Sequence, residues 1–250
     1  MINLNYLKNK TVLVTGGTGT FGRAFVSKLL KEADTKKIII FSRDEFKQGE
    51  MQKDLVDRGI YNDKKIRFFI GDVRDLSRLE RAFNGVDIVF HAAALKQVPA
   101  IEYNPFEAVK TNILGSQNVI DAALNARVDK AILISSDKAV QPINLYGATK
   151  LAAERLFVAG NSYSDKIKTK FSVVRYGNVI GSRGSLIEMI EKQKSAGVIK
   201  LTDVRMTRFW ISIDKVLNII LEAVGNMGGG EIFVPKMKSL KVSDVIKFLA

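Results

Sequence analysis

The chain has 250 residues, 46% apolar and 26% charged, with no cysteine, one histidine and a formal net charge of +13. Those figures describe a globular chain and exclude a disulfide scaffold, thiolate metal centres and any mechanism that needs two histidines. No apolar run approaches the roughly 18–20 residues of a bilayer span, and the first residues lack a leader pattern with a small-residue cleavage site. A cytoplasmic location with no membrane partner is therefore expected. The excess charge is mostly lysine spread along the chain, without a basic block or a recognition motif. That pattern reads as a solvated surface and argues against a nucleic-acid partner.

In chain order, Lys10–Thr15 (KTVLVT) is a β-branched apolar run that predicts a buried strand. It leads directly into Gly16-Gly17-Thr18-Gly19-Thr20-Phe21-Gly22, and the spacing of Phe25, Val26, Leu29 and Leu30 predicts a helix over 23–32. Strand, glycine turn and helix is the context in which a glycine motif carries weight. Glycines at 16, 19 and 22 let backbone N–H groups approach a pyrophosphate at a helix N-terminus. The second strand, 37–41, ends in Ser42-Arg43-Asp44, with Lys47 one turn later. An acid here holds a ribose 2′-hydroxyl, whereas an arginine pairs with a 2′-phosphate. Ser42, Arg43 and Lys47 favour NADP, and Asp44 keeps NAD as the less favoured cofactor.

The third strand, 65–70, precedes Gly71-Asp72-Val73, where Asp72 either accepts from an adenine amino group or caps a helix over 75–83. The fourth, 86–90, runs into His91 and then Ala92-Ala93-Ala94, small residues that let a planar cofactor pack against the backbone. His91 reads as a packing or hydrogen-bonding residue rather than a catalyst. Lys96, in the loop beyond, is either a ligand for a cofactor or substrate phosphate or a solvated lysine. A helix over 106–125 carries Asn112 among apolar residues, as a bridge between backbone groups near the site or as a structural amide.

The fifth strand, 130–134, opens onto Ser135–Lys150 (SSDKAVQPINLYGATK), an unusual density of proton-handling groups at a strand end. Tyr146 and Lys150 stand at i and i+4, on one side of a helix. After the sixth strand, 171–175, come Tyr176-Gly177-Asn178-Val179 and the polar loop 181–185, which suits an anionic ligand. The stretch 202–210 mixes arginines, hydroxyls and Trp210, as a site for a phosphate-bearing planar base or as a surface turn beside a core tryptophan. A strand at 231–234 and a helix from Ser243 close the chain. Six strand–helix alternations predict an α/β fold: a doubly wound parallel sheet of Rossmann type, with helices on both faces and the ligand at the carboxyl edge of the strands.

At TGGTGTFG (15–22), YGATK (146–150) and RYGNV (175–179) the sequence resembles the extended short-chain dehydrogenase/reductases. More narrowly it is similar to the inverting UDP-N-acetylglucosamine 4,6-dehydratases, in FSRDEFKQ (41–48), FIGDVRD (69–75), HAAALKQVP (91–99), EYNPFEAVKTNI (102–113), SSDKAVQPINLYGATKL (135–151), RYGNVIGSRGS (175–185), LTDVRMTRFWI (201–211) and GGEIFVPK (229–236). Where that family reads S-T-D-K-A, Ser136 keeps the hydroxyl. The family chain continues beyond the point matching Ala250. The resemblance thus implies one NADP-binding domain over 1–250, with a small and truncated substrate region drawn from about 176–250.

The resemblance implies a cytoplasmic, homo-oligomeric lyase that holds NADP tightly, uses no metal and makes a UDP-4-keto-6-deoxy-hexosamine for surface-glycan synthesis. Cofactor contacts then fall on Gly16, Thr18, Gly19, Thr20, Phe21, Gly22, Ser42, Arg43, Lys47, Asp72, Val73, Ala92, Ala93, Ala94, Lys96, Asn112, Tyr146, Lys150, Tyr176 and Val179. Substrate contacts fall on Lys96, Ser136, Asn178, Arg183, Thr202, Arg205 and Met206. Tyr146, assisted by Lys150, takes the C4 hydroxyl proton as hydride leaves C4 for the nicotinamide. Lys138, as a neutral amine, takes the C5 proton, and Asp137 protonates the departing C6 hydroxyl. Hydride returns to C6, and C5 is reprotonated from the opposite face. An epimerase needs the Tyr–Lys pair but not Asp137 and Lys138. The alternatives are a dehydratase without C5 inversion, a 4-epimerase and a non-catalytic NADP-binding protein.

Overall fold

The computed structural model describes residues 2–163, 168–181, 186–195, 199, 201 and 203–249. Its strands, in chain order, are β1 (Thr11–Thr15), β2 (Lys37–Ser42), β3 (Ile66–Ile70), β4 (Ile88–His91), β5 (Lys130–Ser136), β6 (Lys170–Tyr176), β7 (Asn178–Val179), β8 (Thr207–Ile211), β9 (Ile232–Phe233) and β10 (Lys238–Lys241). The helices are α1 (Thr20–Glu32), α2 (Glu45–Asp57), α3 (Leu76–Phe83), α4 (Val98–Tyr103), α5 (Pro105–Ala108), a π-turn at Val109–Leu114, α6 (Gly115–Asn125), α7 (Leu145–Gly160), α8 (Leu186–Ser195), α9 (Ile213–Asn226) and α10 (Val242–Leu249).

The main sheet has seven strands in the order β3-β2-β1-β4-β5-β6-β9, all parallel. Alternation along each strand feeds two cores. Val12, Val14, Ile38, Ile40, Ile132 and Ile134 pack with Phe25, Leu29, Leu217 and Ile220 of α1 and α9. Leu13, Ile39, Phe41, Ala131 and Leu133 pack with Leu79, Val119, Ala153 and Phe157 of α3, α6 and α7. The order reverses between β1 and β4, which leaves a crevice at their carboxyl ends.

The expected helix over 106–125 is present as α5, the π-turn and α6, which follow one another without a break, and the short α4 precedes it. Pro99 is the second residue of α4 and Pro105 the first of α5, both in the opening turn where a residue without an N–H is tolerated. A second sheet, β10-β8-β7, was not anticipated: β8 pairs antiparallel with β10 and parallel with β7. It turns 207–211, read above as part of a ligand cluster, into a strand that buries Trp210. No helix among the described residues is long and apolar enough to cross a membrane.

Candidate active site

The crevice widens into a cleft of about 1160 Å³ that runs from the glycine turn to the end of β6. Gly16 sits at φ +66°, and a Cβ there would lie 2.8 Å from the Ala93 nitrogen. A Cβ on Gly22 would overlap the backbone of Gly17, so α1 can approach the turn only with glycine here. Gly19 opens α1 without any side-chain cap, so the positive end of the helix faces the cleft. Arg23 locks the cradle by donating to the Thr18 and Lys47 carbonyls. A cradle that only glycine permits and an uncapped helix terminus fit a dinucleotide pyrophosphate.

Thr18, Thr20, Phe21, Ser42, Arg43, Lys47, Asp72 and Val73 all line this end of the cleft. Asp44, the NAD-type acid of the sequence, lines the same end of the cleft and also caps α2: it accepts from the Lys47 N–H and pairs with the Lys47 ammonium at 2.8 Å. Asp72 does not cap the following helix; Asp75 does, by accepting from the Arg78 N–H. Asp72 accepts from Arg74, and Arg43 lies 3.4 Å from the same carboxylate oxygen. Partial burial raises its pKa, but Arg74 and Arg43 outweigh that and hold it below the usual carboxylate range.

At the centre, Ala92, Ala93, Ala94 and Lys96 line the cleft. Desolvation and the nearby Lys138 lower Lys96, while Glu188 acts in the other direction. His91 lies behind the wall. The Ala92 and Ala93 N–H groups donate to Thr15 Oγ1, and Ser116 Oγ donates to the Asn112 carbonyl at 2.6 Å. Ser116 has then spent its proton, so His91 Nε2 donates to it, and Nδ1 accepts from Thr15. Asn112 does not line the cleft. Its amide is consumed by the Leu95 N–H and carbonyl and by Thr149 Oγ1, so it ties the β4 loop to α7. Both readings of Asn112 meet here: it bridges backbone near the site and is itself buried structure.

The chemistry-bearing groups gather where β5 ends. Lys150 is buried and donates to the Ile134 carbonyl at 2.7 Å. Burial pushes it down to about 8, and Glu154 opposes that shift. Tyr146, half-buried, is pushed up to about 12 by desolvation, with a hydrogen bond to Ser136 acting against the rise. Tyr176 lies beside it and is raised by burial and by Tyr146. Lys138 donates to Asp137 Oδ1 at 3.0 Å and to Asn178 Oδ1 at 3.1 Å, while Ser136 Oγ donates to Asp137 at 2.9 Å. Ser136, Lys138, Tyr146, Lys150, Tyr176, Asn178 and Val179 line one wall, whereas Asp137 stands behind Lys138 and Ser136.

Arg205 and Met206 are not cleft-lining residues. Arg205 projects into solvent and is paired to Asp203 at 2.6 Å. Met206 lies just before β8, its carbonyl accepting from the Val242 N–H at the start of α10. Arg183 and Thr202 lie outside the described residues. The sequence reading missed Glu154, a fully buried carboxylate that accepts from Ser135 and Arg175 directly below Lys150. Its signal was present: an acid one turn after Lys150 on the face of α7 that carries Ala153 and Phe157 into the core.

A parallel sheet in the order β3-β2-β1-β4-β5-β6-β9, with a glycine cradle at the end of β1 and a Tyr–Lys pair on α7, defines a dinucleotide-binding fold of Rossmann type. The chain belongs to the polysaccharide biosynthesis protein family, matched over residues 12–250. It is 51% identical over 243 residues to an inverting UDP-N-acetylglucosamine 4,6-dehydratase of Campylobacter jejuni, covering 96% of this chain and 71% of the relative. A Rickettsia conorii protein named UDP-glucose 4-epimerase is 44% identical, covering 96% of this chain and 70% of the relative. Pen from Bacillus thuringiensis superposes with a TM-score of 0.91 at 42% identity, covering 97% of this chain and 75% of that one. A dTDP-glucose 4,6-dehydratase from Streptomyces venezuelae, solved with NAD, shares the fold at a TM-score of 0.81 and 22% identity, covering 96% and 80% of the two chains.

Proposed function

We propose that the protein is a UDP-N-acetylglucosamine 4,6-dehydratase that inverts C5 and works with a tightly held NADP. The observation that carries this reading is Lys138, held by Asp137 and Asn178 on the wall that also presents Tyr146. Hydride transfer alone has no use for a second amine and an acid there. The C. jejuni relative supports the same reading. The exposed Arg43 at the end of β2 and the commitment of Asp44 to a cap favour NADP over NAD.

The cofactor supplies a reversible hydride acceptor for the sugar C4. Tyr146 takes the C4 hydroxyl proton, and the buried cation of Lys150 lowers the cost of its phenolate. Lys138 takes the C5 proton, made acidic by the 4-ketone. Ser136, on the cleft wall, would hand its proton to the departing C6 hydroxyl and be resupplied by Asp137 behind it; return of the hydride to C6 and reprotonation of C5 from the opposite face would complete the reaction. Substrate-binding elements come from residue 176 onward, beginning with Tyr176 and Asn178. We further propose that the enzyme acts in the cytoplasm as a homo-oligomer, an assembly supported by Tyr103 (87% exposed) and Ile143 (97% exposed) beside α4 and α7.

The test is Lys138→Ala supplied with UDP-N-acetylglucosamine. The reading predicts a loss of dehydration of about 100-fold or more with C4 oxidation retained. Full dehydration by this variant would contradict it. The second reading, a 4-epimerase, is favoured by the R. conorii relative. It predicts a UDP-sugar epimeric at C4, with no loss of water and no effect of Lys138→Ala.

A further inference from the structure

We propose that Glu154 is a positioning residue for the hydride step, the buried counter-charge that keeps Lys150 cationic beneath Tyr146. This rests on the role given above to Tyr146 and Lys150. Glu154 is fully buried, one helical turn beyond Lys150. The Ser135 hydroxyl donates to Oε1 at 2.5 Å, and Arg175 donates to both carboxylate oxygens. Ser135 and Arg175 are register partners on β5 and β6, so the carboxylate clasps the two strands on the face opposite Ser136. Lys150 in turn rests on the carbonyl of Ile134, the residue before Ser135. One acid thus holds the strand segment on which the lysine sits.

The charges around Lys150 decide what that acid does. They are Arg175 on β6, Glu154 and Tyr146 on α7, and the neutral imidazole of His91 on β4, with Asp137 near Tyr146 beyond. Arg175 is ion-paired with this buried carboxylate, and Lys150, one turn away on α7, feels its charge without touching it. Remove its charge, and the buried Lys150 loses the carboxylate that opposes its desolvation, while Arg175 keeps its own charge on the neighbouring strand. Arginine does not give up its proton, so Lys150 does. A neutral Lys150 no longer stabilises the phenolate of Tyr146. An acid serving only to clasp β5 to β6 would leave the titration of Lys150 where it is.

The experiment follows Lys150 directly, by 13Cε resonance in lysine-labelled full chain, assigned by its disappearance in Lys150→Arg. Burial lowers Lys150 to about 8 in the wild type. In Glu154→Gln the midpoint should fall by about one to three units. The alkaline limb of the pH–rate profile should fall with it, so that activity lost at pH 7.5 returns on acidification. Glu154→Asp keeps the charge and should hold the midpoint near the wild-type value. An unchanged midpoint in Glu154→Gln would overturn the proposal, as would an equal drop in Glu154→Asp. Should Glu154→Gln fail to fold, the aspartate variant decides alone, since a drop there shows that packing rather than charge is at work. The titration needs no substrate. A shifted midpoint in a protein without dehydratase turnover would sink the functional reading alone; turnover with an unshifted midpoint would sink this inference alone.

Discussion

His91 Nδ1 accepts a hydrogen bond from Thr15 Oγ1 at 2.7 Å, and this contact fixes the imidazole as a neutral group inside the wall of the cofactor cleft. The ring stacks on Phe157 and donates its own proton to Ser116, so it joins the end of β1 to the start of α6. Burial, with the nearby Lys150, pushes its pKa down to about 3.

That shift makes a prediction about acid. The unfolded chain binds a proton at His91 below its ordinary value near 6.5, and the folded chain does not. Stability from this group is complete above that value and is lost as pH falls toward 3, by about 1.4 kcal/mol per pH unit. Urea unfolding between pH 6.5 and 4.5 should therefore be steeper in pH for the wild type than for His91→Gln by about that amount. Parallel pH dependences would contradict the buried neutral imidazole.

Gly147 follows Tyr146, and a Cβ on it would overlap the carbonyl of Lys138. No flexible side-chain end is available to yield. Gly147→Ala should displace the Asp137–Lys138 turn from Tyr146 while sparing the glycine cradle at the other end of the cleft. We expect dehydration to fall by roughly 100-fold, the cost of misplacing a reacting group by about 1 Å, with NADP affinity nearly unchanged. Isothermal titration together with a product assay separates the two. An equal loss of cofactor affinity would show that the turn does not act on the elimination alone.

Arg43 is about half exposed and only loosely paired with Asp72, which leaves it able to meet a 2′-phosphate. Arg43→Ala should weaken NADP by about tenfold, the worth of one charge-assisted hydrogen bond at an exposed site. NAD affinity should change little. Equal losses for both cofactors would move the 2′-phosphate contact elsewhere.

The main sheet was legible because its strands are continuous β-branched runs and its glycine turn is local. Tyr146 and Lys150 were legible for the same reason, since four residues of helix bring them together. The second sheet was not: β7 has two residues, and its pairing with β8 is across a long stretch of chain, so Thr207–Ile211 carries no periodic signal of its own. Arg205 looked like a ligand because local composition cannot distinguish an arginine aimed at a cleft from one paired with Asp203 two residues away. Glu154 was missed because nothing local to α7 reveals Arg175, which arrives from β6.

The most direct measurement is the product formed from UDP-N-acetylglucosamine in deuterated buffer, read by NMR. The account predicts a UDP-4-keto-6-deoxy-hexosamine that has lost one water and carries solvent deuterium at an inverted C5. Recovery of a C4 epimer that retains its C6 hydroxyl, or of a dehydrated product with C5 unchanged in configuration, would contradict it.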